Sequence, residues 1–593
     1  MLGRLKDGVT AQRAARQFQA SAVQMFRDNA VREPDYRRDF EQIMATLSVY
    51  VAPLQEAMSW GVRGALWMLL AAVGLLLGLV LFNLGNLLLT RNVGRLREFV
   101  VREALGATRG QLFREGFAEQ LLVVAGAALL SLALAEWCVS AIRSITAARL
   151  PRLYELGIDA RVTGLLLILS FAIAILFGAV PLVVLPNSAI SSGLQSEGRT
   201  YTGDRRANRL KSGLMVMQIS VSMVLLIGAG LLIQSFTNVL RVNPGFDPCH
   251  LLNISVSLNA KTNQDPGKRL AHLRELLAAF RSIPGVESAA VVNEVPLTGE
   301  SDIHVVRVVG GPPASATESE GAERRVVDAS YFRVMRIPLI AGREFREDEP
   351  GGFAIINRKM ASLLWPGEDA LGKQFADGDN PPVTVIGIVA DIHDGSLERE
   401  PRMQFYLPVA AGSWDADQFM IRTRIDPAAI LPVAQQVVWR LDPEQPVGYP
   451  QIMERLLRSV TLDRRFETGL VAGFATAALF LATLGLFSIA SLSIARRTRE
   501  FGVRLALGAR AIDLLALEMR RTLAMVVAGL GCGVVTSLAL AKAVTALLYG
   551  VTPWSLTVYG TSTVALMVPA FVAAWLPARR ATKVDPMVAL RYE

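Results

Sequence analysis

Seven long apolar stretches constrain this chain of 593 residues more than any other feature. Six of them carry no charged residue, namely 64–89, 162–185, 212–237, 468–495, 522–541 and 555–577, and the seventh, 121–142, contains only Glu136. A helix of about 20 apolar residues can cross a hydrocarbon core of roughly 30 Å and satisfies its own backbone hydrogen bonds there. The sequence therefore predicts a polytopic α-helical membrane protein with about seven transmembrane helices.

The distribution of charge predicts how these helices are oriented. Four segments that alternate on one side hold 22 of the 61 Lys and Arg residues but only 9 of the 52 Asp and Glu residues: 91–114, 186–211, 496–521 and 579–593. Basic residues concentrate on the cytoplasmic side of membrane proteins, so we expect these four segments to be cytoplasmic. The high isoelectric point reflects this topology, and no interleaving of aromatic and basic residues suggests a nucleic-acid partner.

This topology places residues 238–467 outside the membrane, as an insert between the fourth and fifth helices. Four segments have strand-like patterns, LLNISVSL (251–258), SAAVVNEV (288–295), AIIN (354–357) and VTVIGIVADI (383–392), while 269–283 and 428–441 have helical spacing. We predict a large α/β domain that is entered through a turn at Asn243-Pro244-Gly245. Residues 1–60 are polar and also external, with Thr10 as the N-cap of a helix.

Several kinds of chemical site are disfavoured. The three cysteines have no pairing spacing and the four histidines no metal-ligand spacing, so neither a disulfide framework nor a metal site is expected. The stretch GEDALGKQ (367–374) matches a phosphate-binding loop except at its last position, where Gln374 replaces the Ser or Thr that holds Mg²⁺. We interpret it as a surface turn. No catalytic constellation appears in the insert.

Polar and small residues within the apolar stretches leave two interpretations open. Asn83, Asn86 and Gln218 are either lining groups of a pathway or hydrogen-bonding contacts between helices, the commoner use of such amides. The stretch GLLLG at 74–78 presents two glycines four residues apart, a pattern suited to close helix packing.

A short segment occurs twice. REFVVREALGA (97–107) and REFGVRLALGA (499–509) are identical at nine of eleven positions and lie 402 residues apart. In each copy a Glu precedes an Arg by four residues, the favourable order for an ion pair on a helix. FGAVPLVVL (177–185) and VAAWLPARR (572–580) extend the repeat at an offset of 396. The copies are either amphipathic helices on the inner membrane surface or twin docking surfaces for a partner with two equivalent lobes.

Five segments together resemble one family. They are RTREFGVRLALGA, the terminal PARRATKVDPMVALRYE, and, in the insert, VNPGFDPCHLLNISVSL, VVDASYFRVMRIPLIAGREF and AIINRKMASLLWPGEDALGKQF. The chain is similar to the permease subunits of MacB/FtsX-type ABC transporters, and most similar to the duplicated form in which two permease units are fused. The resemblance covers nearly the whole chain.

The resemblance implies a mechanism and a set of coupling residues. Such a permease binds no ATP or other cofactor itself; a separate ATPase dimer in the cytoplasm binds ATP and docks on coupling helices, here 95–106 and 497–508. The residues implied are Arg97, Glu98, Arg102, Gly106, Arg499, Glu500, Arg504 and Gly508. Closure of the ATPase moves the periplasmic domain instead of passing substrate down a membrane channel.

The resemblance also implies a division into domains. These are a remnant of a first periplasmic domain (1–60), a first FtsX-like unit with three transmembrane helices (61–195), a linker with the first helix of the second unit (196–237), a MacB-like periplasmic domain (238–467) and a second FtsX-like unit with three helices (468–593). The first unit departs from the family because its own first transmembrane helix is missing. We therefore expect either an upstream extension or impaired activity.

The expected function is that of an efflux or export permease in the bacterial inner membrane, with the lipid bilayer and the ATPase dimer as partners and a periplasmic adaptor as a further candidate. Two alternatives remain open at this point. One is an FtsX-like relay that regulates a periplasmic enzyme, and the other is lipoprotein release. A membrane enzyme has the least support.

Overall fold

The computed structural model describes the following residues: 4–32, 51–53, 63–94, 102, 105, 107–146, 157–179, 202–257, 265–299, 301–310, 321–378, 380–411, 417–448, 450–506, 510–545 and 548–581. They belong to two compact units. The soluble unit comprises Met1–Gly64 and Ser235–Glu467, and the membrane unit comprises Ala65–Gln234 and Thr468–Glu593.

The helices of the described part are α1 Ala11–Arg32, α2 Arg63–Gly94, α3 Arg109–Thr146, α4 Ala160–Gly178, α5 Thr202–Arg241, α6 Pro266–Arg281, α7 Tyr331–Met335, α8 Arg358–Leu364, α9 Pro427–Leu441, α10 Met453–Val460, α11 Leu462–Ala506, α12 Ala511–Val544 and α13 Leu556–Ala581. The strands are β1 Leu251–Ser255, β2 Val286–Val292, β3 Ile303–His304, β4 Val306–Val308, β5 Ala322–Val327, β6 Leu339–Gly342, β7 Phe353–Asn357, β8 Gln374–Asp377, β9 Val383–Val389, β10 Gln404–Pro408, β11 Gln418–Thr423 and β12 Gln451–Ile452.

Seven helices of the described part are long and apolar enough to cross a membrane, α2 to α5 and α11 to α13. The predicted fold class is confirmed, because the α/β domain lies between the fourth of these helices, α5, and the fifth, α11. The apolar spans of α5 and of α11 to α13 are more deeply buried within the protein than those of α2 to α4. Met223 and Ile227 of α5 are buried in one apolar cluster with residues of α11, α12 and α13.

Close packing in the membrane unit depends on glycines other than those singled out in the sequence. No atom of the described residues lies within 4 Å of a Cβ built at Gly74, and Gly78 meets only Phe82 of its own helix among them. Gly529 and Gly533 of α12 instead receive Ile219 and Met223 of α5, where an added Cβ would come within 2.7 and 2.6 Å. The GLLLG pattern is suited to close packing, but no described helix packs closely on its two glycines. The pattern alone does not show whether a helix lies opposite it.

The soluble unit contains a twelve-stranded sheet with the strand order β12-β1-β11-β2-β5-β10-β7-β9-β8-β4, to which β3 and β6 add by pairing with β5 and β9. One apolar cluster joins α6 and α9 to β1, β2 and β11. A second joins α8 to β7, β9 and β10. The strands around each of the two apolar clusters form one lobe of the sheet. Strand β5 connects these two lobes, since it pairs with β2 at the single position Val292–Val327 and with β10 along five parallel positions.

The helix starts in the soluble unit follow from local sequence. Asp265 and Asp426 each precede a proline, and their carboxylates accept hydrogen bonds from backbone N–H groups of the first turns of α6 and α9. An N-cap carboxylate followed by proline at the first helical position is a strong start signal. The predicted strands and helices of the insert are confirmed, and so is the cap at Thr10, whose Oγ1 accepts a hydrogen bond from Arg13 N at 3.3 Å.

Two predicted turns are also confirmed. At Asn243-Pro244-Gly245, the Asn243 side chain accepts a hydrogen bond from Gly245 N at 2.9 Å. Gly245 has a φ of 88° and packs so closely on Asp391 that a side chain would collide with its carbonyl. GEDALGKQ forms a turn that leads into strand β8, where a phosphate-binding loop would lead into a helix.

A group of charged residues is buried beside the connecting strand. Arg325 of β5 is fully buried, and its Nη2 lies 2.6 Å from Asp394 Oδ1 and 3.6 Å from Glu323 Oε1. Burial raises the pKa of Glu323 to about 8. Although burial also acts on Asp394, the Arg325 guanidinium holds the pKa of that carboxyl below its usual range. Near neutral pH the group therefore contains one ion pair and one neutral carboxylic acid.

We predict that residues 238–467, expressed alone, are soluble and unfold cooperatively, because both apolar clusters of the sheet close within this segment. Circular dichroism followed through thermal and urea denaturation checks this. A spectrum typical of a disordered chain would contradict it.

We predict that the same segment loses stability as the pH rises from about 4.5 to about 8. The folded state holds a proton on Glu323 in this window that the unfolded state releases, because the pKa is about 8 in the fold and 4.5 otherwise. The loss should be on the order of a few kcal/mol, since one pKa unit corresponds to about 1.4 kcal/mol. Glu323→Gln should reduce this slope, leaving below about pH 6 the part that comes from Asp328, whose pKa burial raises to about 6, and should make the segment more stable than the parent at pH 8. Denaturation at pH 5, 6.5 and 8 measures both slopes, and equal slopes would refute the assignment.

Candidate coupling segments and the polar junction of the membrane unit

The structure places the eight predicted coupling residues unevenly. Four lie outside the described residues: Arg97, Glu98, Gly106 and Gly508. Three lie in α11, of which the backbone but not these side chains is described: Arg499, Glu500 and Arg504. The predicted pairs of Glu98 with Arg102 and of Glu500 with Arg504 therefore remain predictions. Among the eight predicted coupling residues, only Arg102 has a described side chain.

Arg102 forms an ion pair with Glu115, in the second turn of α3. Its Nη1 lies 2.8 Å from Oε1 and 2.6 Å from Oε2 of that carboxylate. The two side chains are 35% and 59% exposed, so solvent screens the attraction and the pair contributes little to the stability of the fold. They line one edge of an open groove of about 400 Å³, together with Leu105, Ala107, Gln111 and Leu112.

A reciprocal cap fixes the turn from the first coupling segment into α3. Thr108 N donates to Gln111 Oε1 at 2.8 Å, and Gln111 N donates to Thr108 Oγ1 at 3.3 Å. This is a capping box, and it satisfies two of the backbone N–H groups that a helix start leaves without partners. The Thr-x-x-Gln spacing directly after the first copy of the repeat is the sequence signal of this cap.

The second copy of the repeat has neither the capping box nor the carboxylate partner at the equivalent positions. At the offset of 402 residues, Thr108 corresponds to Arg510 and Glu115 to Leu517. Arg510 is the N-cap of α12, and its side chain makes no capping hydrogen bond. The helix α11 instead runs without interruption from its apolar span through Arg499 and Arg504 to Ala506. The capping box and the Arg102–Glu115 pair are thus features of the first copy, whereas the described part of the second copy continues α11.

Three helices of the membrane unit meet at a buried polar junction. Asn83 of α2 and Gln218 of α5 both donate side-chain hydrogen bonds to the carbonyl oxygen of Leu481 in α11, at 2.9 and 3.0 Å. One turn away, Ser222 Oγ of α5 donates to Ala478 O at 3.4 Å. For Asn83 and Gln218 the structure favours the packing interpretation, because their N–H groups are used between helices.

Gly485 makes the junction possible. A Cβ at this position would collide with the amide groups of both Asn83 and Gln218. The repeat offset of 402 also carries Asn83 onto Gly485 and Leu79 onto Leu481. Equivalent helices of the two copies thus contact each other here, and a large polar residue in one copy fits against the glycine that replaces it in the other.

Two family models match the chain. The model described as FtsX-like permease C-terminal matches residues 70–191 and again residues 472–586. The model described as MacB-like periplasmic core domain matches residues 212–444 between them. The chain belongs to the MacB/FtsX-type ABC transporter permeases. The two FtsX matches fall on the two copies of the repeat, and the MacB match covers most of the sheet domain.

Curated relatives share part of their length with this permease. The macrolide export ATP-binding/permease protein MacB of Chromobacterium violaceum is 27% identical over 282 residues, which is 45% of this chain and 43% of that protein. The protein of the same name from Escherichia coli K12 is 27% identical over 289 residues, with the same coverage. The chain thus aligns with less than half the length of the curated relatives it matches.

A solved structure is also similar to part of the chain. It is the periplasmic region of MacB from Actinobacillus actinomycetemcomitans, at 14% identity and a TM-score of 0.27, covering 38% of this chain and 98% of that structure. A TM-score of this size does not establish a shared fold.

We predict that Gly485→Ala destabilises the membrane unit by about 1–3 kcal/mol, because the added methyl displaces two hydrogen-bonding amides in a packed interior. Gly473→Ala is the matched control. It lies in the same helix with no atom within 4 Å, so the alanine should be neutral or slightly stabilising. Thermal unfolding of both variants in lipid nanodiscs measures the difference, and an equal effect of the two substitutions would refute the packing role of the junction.

Proposed function

We propose that this permease couples ATP hydrolysis by a separate cytoplasmic ATPase to motion of its periplasmic domain, in export across the bacterial inner membrane. The observation that carries the proposal is the course of α11. This helix begins in the soluble unit, continues through an apolar span at Arg464–Ser488, and ends at Ala506 within the second coupling segment.

The length of α11 supports a mechanical role. Its 45 residues correspond to about 68 Å at 1.5 Å per residue, more than twice the thickness of a hydrocarbon core. The helix is therefore long enough to extend beyond the membrane, and a displacement of one end is passed along an unbroken hydrogen-bonded rod.

The first turn of α11 is anchored within the soluble unit. Arg464 Nε and Nη2 lie 2.7 and 2.8 Å from the two carboxylate oxygens of Glu398, a bidentate pair. Bidentate guanidinium–carboxylate pairs restrict orientation as well as distance. Motion of α11 is in this way connected to the loop that follows β9, which lies in the MacB-like domain.

The repeat supports two docking sites in one chain. The Arg and Glu residues of 97–107 and 499–509 lie in segments that charge asymmetry assigns to the cytoplasm. An ATPase dimer presents two equivalent lobes, and a chain with both copies provides one segment for each lobe. ATP is then bound by the partner, and this permease needs no cofactor of its own.

We predict that Glu500→Ala with Arg504→Ala abolishes the stimulation of ATP hydrolysis by the permease while expression stays normal. Exposed helix pairs contribute only about 0.3–0.5 kcal/mol to folding, but removing one partner of a charge contact buried under an ATPase lobe costs about 2–5 kcal/mol. Glu98→Ala with Arg102→Ala should also weaken the stimulation.

The measurement is the ATPase rate of the complex reconstituted in lipid. The cytoplasmic substitution Arg209→Ala, outside both copies of the repeat, serves as the control and should leave the rate unchanged. Full stimulation in both double variants would show that the repeated segments are only membrane-surface helices.

A further inference from the structure

A cavity of about 230 Å³ lies in the soluble unit, where strands β5 and β10 end. These strands are parallel, with Val327 opposite Pro408 at their carboxyl ends, and the next residues, Asp328 and Val409, line the cavity. In α/β sheets the crevice outside the carboxyl ends of parallel strands is a preferred position for ligands. The cavity therefore lies where this kind of fold commonly binds small molecules.

The inner wall of the cavity is apolar. Leu270, Leu273 and Leu277 lie on one face of α6 at spacings of three and four residues, and Val291 and Val327 face them from the sheet. Leu273, Leu277 and both valines are buried. The volume is below the range of about 300–1,000 Å³ that is typical of ligand pockets, so the cavity suits only a small molecule with an aliphatic part.

Three arginines surround the cavity. Arg274 and Arg281 lie seven residues apart on α6, and Arg346 lies on the loop after β6. Hydrogen bonds orient two of them: Arg274 donates to Glu347 O and Asp348, and Arg281 donates to Ala289 O at 2.8 Å and Ser330 Oγ at 3.0 Å. The Arg346 side chain is exposed, and its charge helps to lower the pKa of the Glu349 carboxyl.

Carboxylates share this region with the arginines. The lining contains Asp328 and Glu347, and Asp348 beside it forms an ion pair with Arg274, which leaves Arg281 and Arg346 as the arginines nearest to a ligand's charge. Asp328 is already used, since its oxygens accept from Val291 N at 3.0 Å and Ser330 N at 3.2 Å and lie 3.4 Å from Arg281 Nη2. Burial raises the pKa of Asp328 to about 6, and carboxyl groups shifted in this way inside a cavity are frequent at functional sites.

We propose that this cavity binds a small aliphatic carboxylate, with its chain against the leucines of α6 and its carboxylate on Arg346 and Arg281. A guanidinium is planar and presents paired N–H donors that match the two oxygens of a carboxylate. The apolar wall favours an aliphatic chain through burial of its surface. The site lies within the soluble unit and does not rest on coupling to an ATPase.

The test uses the full chain in lipid nanodiscs, titrated with octanoate in an isothermal calorimeter at pH 7.5, with the heat of empty nanodiscs subtracted. We expect saturable binding of one octanoate per chain. Arg346→Gln should weaken it at least tenfold. Arg333→Gln is the matched control, because Arg333 is an exposed arginine of the same unit, 74% exposed, that does not line the cavity, and it should leave the affinity unchanged.

Two further arms separate this site from partition into lipid and from other charge preferences. Octanol and octyltrimethylammonium, which carry the same chain with no charge or a positive charge, should bind at least tenfold more weakly than octanoate. Ala329→Phe, which places a large side chain at the cavity wall, should also weaken octanoate binding. Heat that does not saturate, octanoate binding that survives both Arg346→Gln and Ala329→Phe, or tighter binding of octyltrimethylammonium would each overturn the proposal.

Discussion

The hydrocarbon core of a membrane offers no water to backbone or side-chain polar groups, and this constraint decides how the polar residues of the membrane unit are used. Each N–H and C=O group needs a partner within the protein, so the apolar stretches form helices. Two of the amides in these helices bond to another helix. Asn83 and Gln218 share the carbonyl of Leu481, and the absence of a side chain at Gly485 lets both amides reach it.

The duplication explains why this junction exists and why it is asymmetric. The two equivalent helices α2 and α11 contact each other, as the two halves of a fused pair would, but Asn83 stands in one copy where Gly485 stands in the other. Two identical large amides could not occupy the same space. The same divergence affects the described residues around the repeated segment, since the capping box and the Arg102–Glu115 pair occur at the first copy and the second copy continues α11.

The soluble unit contains a different kind of constraint. Its two lobes share strand β5, and beside this strand lie the charges of Arg325, Glu323 and Asp394, removed from water. A buried ion pair is weak evidence for stability, because the cost of desolvation offsets much of the attraction. Its effect is on specificity, since only one arrangement of the lobes lets Asp394 meet Arg325. Burial keeps Glu323 protonated near neutral pH, which limits the charge in this interior to one pair.

Much of the architecture was predictable from local sequence. Helices that span a membrane are recognised by their length and lack of charge. Local signals that depend only on neighbouring residues predict the Asp-Pro starts of α6 and α9 and the turn at Asn243-Pro244-Gly245. The repeat, and the mismatch of GEDALGKQ to a phosphate-binding loop, could also be recognised, because each is defined by the order of residues in the sequence.

Contacts between distant residues were decided by the tertiary structure alone. Arg102 pairs with Glu115, 13 residues further along the chain, a contact that no helical spacing indicates. Gly485, Gly529 and Gly533 are among the described glycines that pack closely and Gly74 and Gly78 are not, because a glycine permits close approach only where another helix lies opposite it. The burial of Arg325 and the cavity between α6 and β5 depend on pairing strands far apart in the chain. The sequence determined the elements and the class of membrane protein, and long-range packing determined which side chains meet, since a contact free energy exists only once the fold has brought its two partners together.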